Sequence, residues 1–137
     1  MARQTLTELG FTDFEYRVVH DEIPEIQEAI VDLCATCHAV FTTGGTGFSP
    51  RDVTPEATAP LLDKRADSLC ELMRIKGSGQ TEFAYLSRGI AGVCHGALVV
   101  NLPGSPKAVL QGIRAIGHLI EPILVNLEQG HCPANGC

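Results

Sequence analysis

The sequence predicts an α/β domain, a three-layer α/β/α sandwich built on a largely parallel sheet. Strand-like and helix-like segments alternate along the chain, which is typical of a sheet covered by helices on both faces. Residues 97–101 form a continuous apolar run, as expected for a parallel strand buried on both sides. Residues 44–47 are rich in glycine and separate an apolar strand from a helix start. Ligands bind at such connections, beyond the carboxyl ends of the strands.

The first third of the chain predicts two helices and two strands. Residues 3–9 predict a short helix that Gly10 ends. Residues 14–19 alternate in polarity and predict a strand. Residues 24–37 carry one apolar stripe at helical spacing, and residues 39–42 predict the next strand. The stripe consists of Ile26, Ala29, Ile30, Leu33, Cys34 and Cys37.

The helices after the glycine-rich loop are predicted from their end signals. Thr54 is the expected N-cap, and Pro55 the expected first residue, of a helix over 55–63. A second helix is expected over 66–76, divided from the first near residues 64–65.

The last helix is expected to begin at Pro106, with Ser105 as its cap, and to reach about Glu128. Two glycines and a proline within it predict a kink or break around residues 117–122. Residues 129–137 are expected to form a flexible tail.

Composition indicates one soluble domain over residues 1–137. The sequence is 45% hydrophobic and 19% charged, with a net charge of −6 and no cluster of lysine or arginine. These values disfavour binding to nucleic acid or to an anionic membrane. No apolar run approaches the roughly 18 residues that span a bilayer, and no signal sequence is evident. We therefore expect a cytoplasmic protein with reduced cysteines.

The glycine-rich loop predicts an anion site. Thr43 is the first residue after the preceding strand, and glycine allows the backbone to approach a phosphate closely. The alternative is a tight turn whose glycines serve only backbone geometry. Asp21, residues 43–52 and residues 101–106 each follow a predicted strand, so they are expected to converge on one edge of the sheet.

Three segments resemble a known family. Residues 42–58 read TTGGTGFSPRDVTPEAT, residues 86–93 read LSRGIAGV, and residues 98–109 read LVVNLPGSPKAV. Residues 18–22, VVHDE, agree more weakly. Together they are similar to the molybdopterin-binding domains of molybdenum-cofactor biosynthesis, which include the molybdopterin adenylyltransferases and the gephyrin G domain.

The resemblance implies that AMP is transferred from ATP to the terminal phosphate of molybdopterin, with Mg²⁺ as the metal. It places the acidic functional positions on Asp52 and Asp21, which are the expected catalytic residues and Mg²⁺ ligands. For Asp52 the alternative is a solvated loop residue or a local cap. For Asp21 the alternative is a residue of a turn and helix start, because Asp-Glu precedes Ile-Pro, and Arg88 is equally well a surface residue. The implied substrate-binding residues are Thr43, Gly44, Gly45, Thr46, Gly47, Ser87, Arg88, Asn101, Pro103, Gly104 and Ser105.

The resemblance also implies a homotrimer, with a hexamer as the alternative, and partners among other cofactor-biosynthesis proteins. Family members usually carry a further strand, and a loop ending in an Asp-x-Ser-Gly type motif, before the helix that starts here at Ala2. We expect either a truncated chain or a protein that lacks this element. A non-catalytic molybdopterin-binding or interaction module is therefore the alternative function.

Two cysteine-containing patterns are candidate cofactor sites. Residues 34–38 match the Cys-x-x-Cys-His pattern of c-type haem attachment, but the apolar stripe favours core cysteines, and we expect no haem. A zinc site lacks the usual compact spacing of two ligand pairs. Its ligands would be Cys94, His95, His131, Cys132 and Cys137.

Overall fold

The computed structural model describes residues 2–129, and a four-stranded sheet forms the centre of the domain. The strands are β1 (Ala39–Thr43), β2 (Lys64–Arg65), β3 (Ala91–Cys94) and β4 (Ala97–Leu102), in the order β1-β4-β3-β2. β1 and β4 are parallel, whereas β3 is antiparallel to both of its neighbours. The α/β class is confirmed, but within the described residues the sheet is mixed rather than largely parallel.

In the described part of the chain, five α-helices cover the two faces of this sheet. They are α1 (Ala2–Glu8), α2 (Ile23–Thr36), α3 (Thr54–Thr58), α4 (Asp67–Ser78) and α5 (Pro106–Gln129). Two 3₁₀ turns, Ala59–Leu61 and Glu82–Leu86, complete the described elements. The helices α1, α2, α4 and α5 lie within one or two residues of the sequence prediction.

The alternation of side chains along β4 separates two hydrophobic cores, because successive residues of a strand point to opposite faces. Leu98, Val100 and Leu102 belong to the core under α1, α4 and α5. Val99 belongs to the core under α2 and α3. All six residues of β4 are buried. The predicted three-layer arrangement and the burial of this strand on both faces are confirmed.

β3 and β4 form a hairpin that the sequence analysis missed. Cys94 pairs with Ala97, so the turn consists only of His95 and Gly96. Both turn residues have positive φ, 49° and 79°, as two-residue hairpin turns of type I′ require.

The strand predicted over residues 14–19 is wrong. These residues form no regular structure, and Tyr16 and Val18 are 88% and 80% exposed. Alternation alone does not make a strand, because the backbone needs a hydrogen-bonding neighbour. Among residues 2–129, none pairs with this segment.

Helix α3 is shorter than predicted and begins one residue earlier. Val53, rather than Thr54, occupies the N-cap position, and no side chain caps the helix. The backbone N–H of Thr54 instead donates to Gly45 O (3.1 Å), so the glycine-rich loop sets the helix start.

Helix α5 runs through Pro122 without the predicted break. By length and composition alone, this helix is apolar enough to cross a membrane, a test that a core helix of a soluble protein also passes. This corrects the expectation that no segment reaches that threshold. Ile113, Ile116 and Ile120 are fully buried in the core shared with α1, α4 and β4. The predicted tail from residue 130 onward lies outside the described residues.

Candidate functional site

A cleft of about 490 Å³ lies at the edge of the sheet where the parallel strands β1 and β4 end. The loop after β1 and the loop after β4 form one side, and α4 with the turn Glu82–Leu86 forms the other. The expected convergence of residues 43–52 and 101–106 is therefore confirmed.

The glycine-rich loop after β1 has a backbone that other residues cannot easily adopt. Gly44 and Gly45 have φ of 89° and 70°, and a Cβ on Gly45 would clash with the hydroxyl of Thr54. Gly104 of the second loop lies so near that a Cβ there would be 3.4 Å from the Cα of Gly44. The two loops thus approach each other backbone to backbone.

Several backbone N–H groups in these loops have no acceptor among the described residues. Gly44 N donates to Leu102 O (3.0 Å), but no acceptor within residues 2–129 takes the N–H groups of the residues that follow Gly44. These residues, which line the cleft, are Gly45, Thr46 and Gly47. Gly104 and Ser105 show the same in the second loop. Unpaired N–H groups on successive residues are a typical means of binding anions.

Asp52 lines the cleft beside the glycine-rich loop. Its Oδ2 accepts from the backbone N–H of Ser49 (3.0 Å), and its own N–H donates to Ser49 O (2.9 Å). Gly47 is close enough that a Cβ would lie 2.9 Å from Oδ2. Oδ1 has no hydrogen-bond partner among residues 2–129, which leaves it available to a ligand or a metal ion.

Asp21 and Thr43 lie outside the cleft lining. The Asp21 side chain is 50% exposed, and its Oδ2 lies 3.9 Å from Nη2 of Arg51 on the outer side of the loop. Thr43 is the exposed last residue of β1. Asp21 was expected at the site, but it contacts the loop only through this loose ion pair. The reason is that residues 14–19, which precede Asp21, join no sheet within residues 2–129.

Ser87 lines the cleft, whereas Arg88 does not. The Arg88 side chain instead donates a hydrogen bond to the backbone of the glycine-rich loop. The Ser87 hydroxyl lies 3.4 Å from that of Thr46 and accepts from Gly89 N–H at 3.3 Å. The guanidinium of Arg88 binds backbone carbonyls of the loop and the carboxylate of Glu56. It is thus neither an unattached surface residue nor part of the cleft wall.

Asn101 is 1% exposed and joins several elements at the base of the cleft. Its amide nitrogen donates to the hydroxyls of Thr42 (2.9 Å) and Thr58 (3.2 Å). Its Oδ1 accepts from the backbone N–H of Ile90 (3.1 Å). Both amide hydrogens are used within the protein, so this side chain joins β1, α3 and the segment before β3.

Pro103, Gly104 and Ser105 lie where the sequence predicts them, at the start of α5. The Ser105 hydroxyl accepts from Ala108 N–H (3.1 Å), which confirms Ser105 as the helix cap. The positive end of a 24-residue helix therefore faces the cleft.

Arg74 is a cleft residue that the sequence analysis missed. It is the basic residue among those that line the cleft, and Asp52 is the acidic one. Its Nε and Nη2 donate to the carbonyls of Ser87 (2.9 Å) and Gly89 (2.6 Å). Cys70, Met73, Arg74 and Gly77 share one face of α4, because their spacing is i, i+3, i+4 and i+7. That spacing was the signal available in the sequence.

The cysteines of the haem-like pattern belong to the core or its margin. Cys34 is 6% exposed, Cys94 is fully buried and Cys37 is half-buried. Burial, with Cys94 nearby, raises the pKa of the Cys34 thiol to about 12. Within residues 2–129, no group of three or more histidine, cysteine or acidic residues is arranged to hold a metal ion. His131, Cys132 and Cys137 of the zinc hypothesis lie outside this range.

Fold and cleft together define an α/β ligand-binding domain that offers backbone donors to an anion. The chain belongs to the molybdopterin-binding domain family of molybdenum-cofactor biosynthesis. The family described as "Probable molybdopterin binding domain" matches residues 1–124. The resemblance read from the three sequence segments is thereby confirmed.

Two sequence relatives illustrate the match. Molybdopterin adenylyltransferase from Helicobacter pylori (strain J99) is 38% identical over 121 residues, which cover 87% of this chain and 68% of that protein. Gephyrin from Dictyostelium discoideum is 45% identical over 103 residues, covering 74% of this chain but 14% of gephyrin. The chain thus corresponds to only a small part of the longer relative.

Solved structures agree. A molybdopterin biosynthesis protein from Mycobacterium abscessus superposes with a TM-score of 0.90 at 37% identity, covering 96% of this chain and 84% of that one. The tungsten cofactor synthesizing protein MoaB from Pyrococcus furiosus gives 0.80 at 33% identity, covering 90% and 80%.

Proposed function

We propose that this chain is a cytoplasmic molybdopterin adenylyltransferase, which transfers AMP from ATP to the terminal phosphate of molybdopterin. The observation that carries the proposal is a set of backbone N–H groups on two loops of one cleft that have no acceptor in the described part of the chain. The available carboxylate oxygen of Asp52 lies beside them. Relatives named molybdopterin adenylyltransferase, at 36–38% identity, support the choice of reaction.

The cleft has separate features for the charged and the apolar parts of such substrates. Phosphate oxygens would accept from the N–H groups of residues 45–47 and 104–105, assisted by the positive end of α5. Arg74 would supply positive charge in a protein whose net charge is −6. The apolar side chains of Cys70 and Met73, which line the cleft, suit the flat ring system of a pterin.

In the reaction, an oxygen of the terminal phosphate of molybdopterin attacks the α-phosphorus of ATP. The bond to the β-phosphate breaks and pyrophosphate leaves. Such a transfer depends on positioning and on neutralising charge more than on a covalent protein group. Mg²⁺ fits the donor set, because Asp52 Oδ1 has no hydrogen-bond partner in the described chain and phosphate oxygens could complete the coordination shell. The ion would neutralise phosphate charge. Asp21, outside the cleft, is the weaker candidate ligand.

The test is adenylyl transfer by the purified chain with molybdopterin, ATP and Mg²⁺, followed by chromatography of the AMP-linked pterin. We expect product that depends on both substrates and disappears when EDTA removes the metal. A folded protein that binds molybdopterin but forms no product would contradict the proposal.

That negative result would support the second candidate, a module that binds molybdopterin without turnover. The observation in its favour is the position of Asp21, one of the two expected catalytic carboxylates, outside the cleft lining. Titration of molybdopterin in the absence of ATP distinguishes this candidate from a protein that does not bind the pterin.

We further propose that the chain forms a homotrimer, or a hexamer, and contacts other proteins of cofactor biosynthesis. Its support is the resemblance to the family. Light scattering coupled to size exclusion gives the mass directly, and a monomeric mass at micromolar concentration would contradict the trimer.

A further inference from the structure

The Arg88 side chain holds both ends of the loop that carries Asp52. Its Nε donates to Gly47 O (2.8 Å) at one end, and its Nη2 donates to Asp52 O (3.0 Å) at the other. Its backbone N–H also donates to Thr46 O (2.8 Å). One residue from the segment before β3 thus fixes a loop that lies more than thirty positions earlier in the chain.

Glu56 on α3 holds the same guanidinium. Its Oε2 accepts from Nη1 (2.6 Å) and its Oε1 from Nη2 (3.2 Å), a two-pronged contact of fixed geometry. The hydrogen bond from Arg88 lowers the pKa of the Glu56 carboxyl below its usual value. The Arg88 side chain is 29% exposed. Its contact with Glu56 engages both Nη1 and Nη2, which would otherwise be the atoms that bind an anion.

Within the described residues, two further side-chain contacts hold this loop: Arg51 lies 3.9 Å from the Asp21 carboxylate, and the Arg88 guanidinium lies over the ring of Phe48, 5.6 Å from its centroid. Between Gly47 and Asp52, its backbone is closed by the reciprocal bonds of Ser49 and Asp52 and by a long bond (3.4 Å) from Arg51 N–H to the Ser49 hydroxyl. These bonds shape the turn itself. The bonds from Arg88 join both ends of the turn to the segment that precedes β3.

We infer that Arg88 and Glu56 form a positioning pair, which orients the Asp52 carboxylate toward the cleft and does not itself bind substrate. This inference rests on the proposed adenylyl transfer. It replaces the phosphate contact considered for Arg88 from the sequence. The pair acts through the loop backbone, so its removal misplaces Asp52 without removing a donor from the cleft.

The test compares Arg88→Met with Arg114→Met, since Arg114 forms a similar but looser arginine–glutamate contact (3.9 Å, with Glu8) away from the cleft. We expect Arg88→Met to lower kcat by roughly 30- to 100-fold, because misplacement by about 1 Å costs up to that much, while the KM for ATP changes less than about threefold. Arg88→Lys should recover part of kcat. A tenfold rise in KM with unchanged kcat would overturn the inference and make Arg88 a substrate ligand.

Glu56→Gln separates the two roles further. A positioning pair predicts a smaller loss of kcat, about three- to tenfold, that is not additive with the loss from Arg88→Met. A phosphate-binding arginine predicts instead that its release from Glu56 tightens substrate binding. Tighter binding with full kcat would contradict the pair.

Hydrogen exchange gives a readout that needs no turnover. In Arg88→Met, the amides of Ser49 and Asp52 should exchange at least about tenfold faster, while the amides of β4 and the Arg114→Met control remain unchanged. Unchanged exchange at these two amides would overturn the inference even in an active enzyme. Absence of adenylyl transfer in the wild-type protein would contradict the proposed function alone.

Discussion

Replacing Asn101 by alanine should destabilise the whole domain, because its side chain joins three separate segments at the base of the cleft. The substitution removes two donors to the hydroxyls of Thr42 and Thr58 and the acceptor of the Ile90 N–H. Each lost hydrogen bond contributes about 1 kcal/mol, and an unsatisfied inward-facing N–H costs about 1–3 kcal/mol. We expect the free energy of unfolding to fall by about 3–5 kcal/mol.

The free energy of unfolding is measured from urea titrations followed by circular dichroism. A loss of that size should lower Tm by roughly 10–20 °C in a domain of this length. Asn126→Ala is the matched control, because this residue is exposed on α5 and should change the stability by less than about 0.5 kcal/mol.

A substrate-binding role for Asn101 predicts the opposite pattern. The stability would then change by less than about 1 kcal/mol, while the affinity for molybdopterin would fall by tenfold or more. That result would refute the reasoning from its hydrogen bonds.

Three further predictions concern charge in the cleft and in the core. Asp52→Asn should lower kcat by at least about 100-fold and leave molybdopterin affinity within about threefold. Asp32→Asn on α2 is the control. Wild-type turnover in Asp52→Asn would remove Asp52 from the mechanism. Arg74→Gln should weaken binding of molybdopterin by about tenfold at low salt, with the difference shrinking as salt rises; equal affinity at all salt concentrations would exclude a phosphate contact. The Cys34 thiol has a pKa raised from about 9 when unfolded to about 12 when folded, so unfolding releases its proton more readily and stability should fall as pH rises from 9 to 12. In Cys34→Ala this fall should be smaller, as measured by urea titrations across that range, and an identical fall would contradict the assignment.

The sequence was sufficient to predict elements whose pattern is long and whose interactions are local. Helices α2 and α5 each repeat an apolar stripe over several turns, and residues 97–101 are too uniformly apolar for an exposed strand. Ser105 as a cap was predictable because the cap and the N–H it accepts lie three residues apart.

The errors concern elements that depend on distant partners. Residues 14–19 have the alternation of a strand, but a strand exists only where another backbone accepts its hydrogen bonds. The strand β3 is short and contains Gly92, and its place follows from the turn formed by His95 and Gly96. A two-residue turn ending in glycine was the available signal.

The site was predictable in its backbone and less so in its side chains. The glycines in the sequence indicate where the cleft loops lie, because the backbone conformation of those loops excludes residues with a side chain. The roles of Arg88 and Arg74 depend on which carbonyls their guanidinium groups meet, and those carbonyls lie 13 to 41 positions away in the chain. No local pattern contains that information.

The pairing of β1 with β4 has a consequence for how the domain folds. The hairpin of β3 and β4 pairs residues that are separated by a two-residue turn. The pairing of β1 with β4 joins residues that lie far apart in the sequence, such as Ala39 and Leu98. Since nearby contacts cost less entropy, we expect the hairpin first and the parallel pairing late. The cleft then forms in the final step, so a partly folded chain lacks the site proposed for the pterin. Ligand should therefore slow unfolding and leave the refolding rate unchanged.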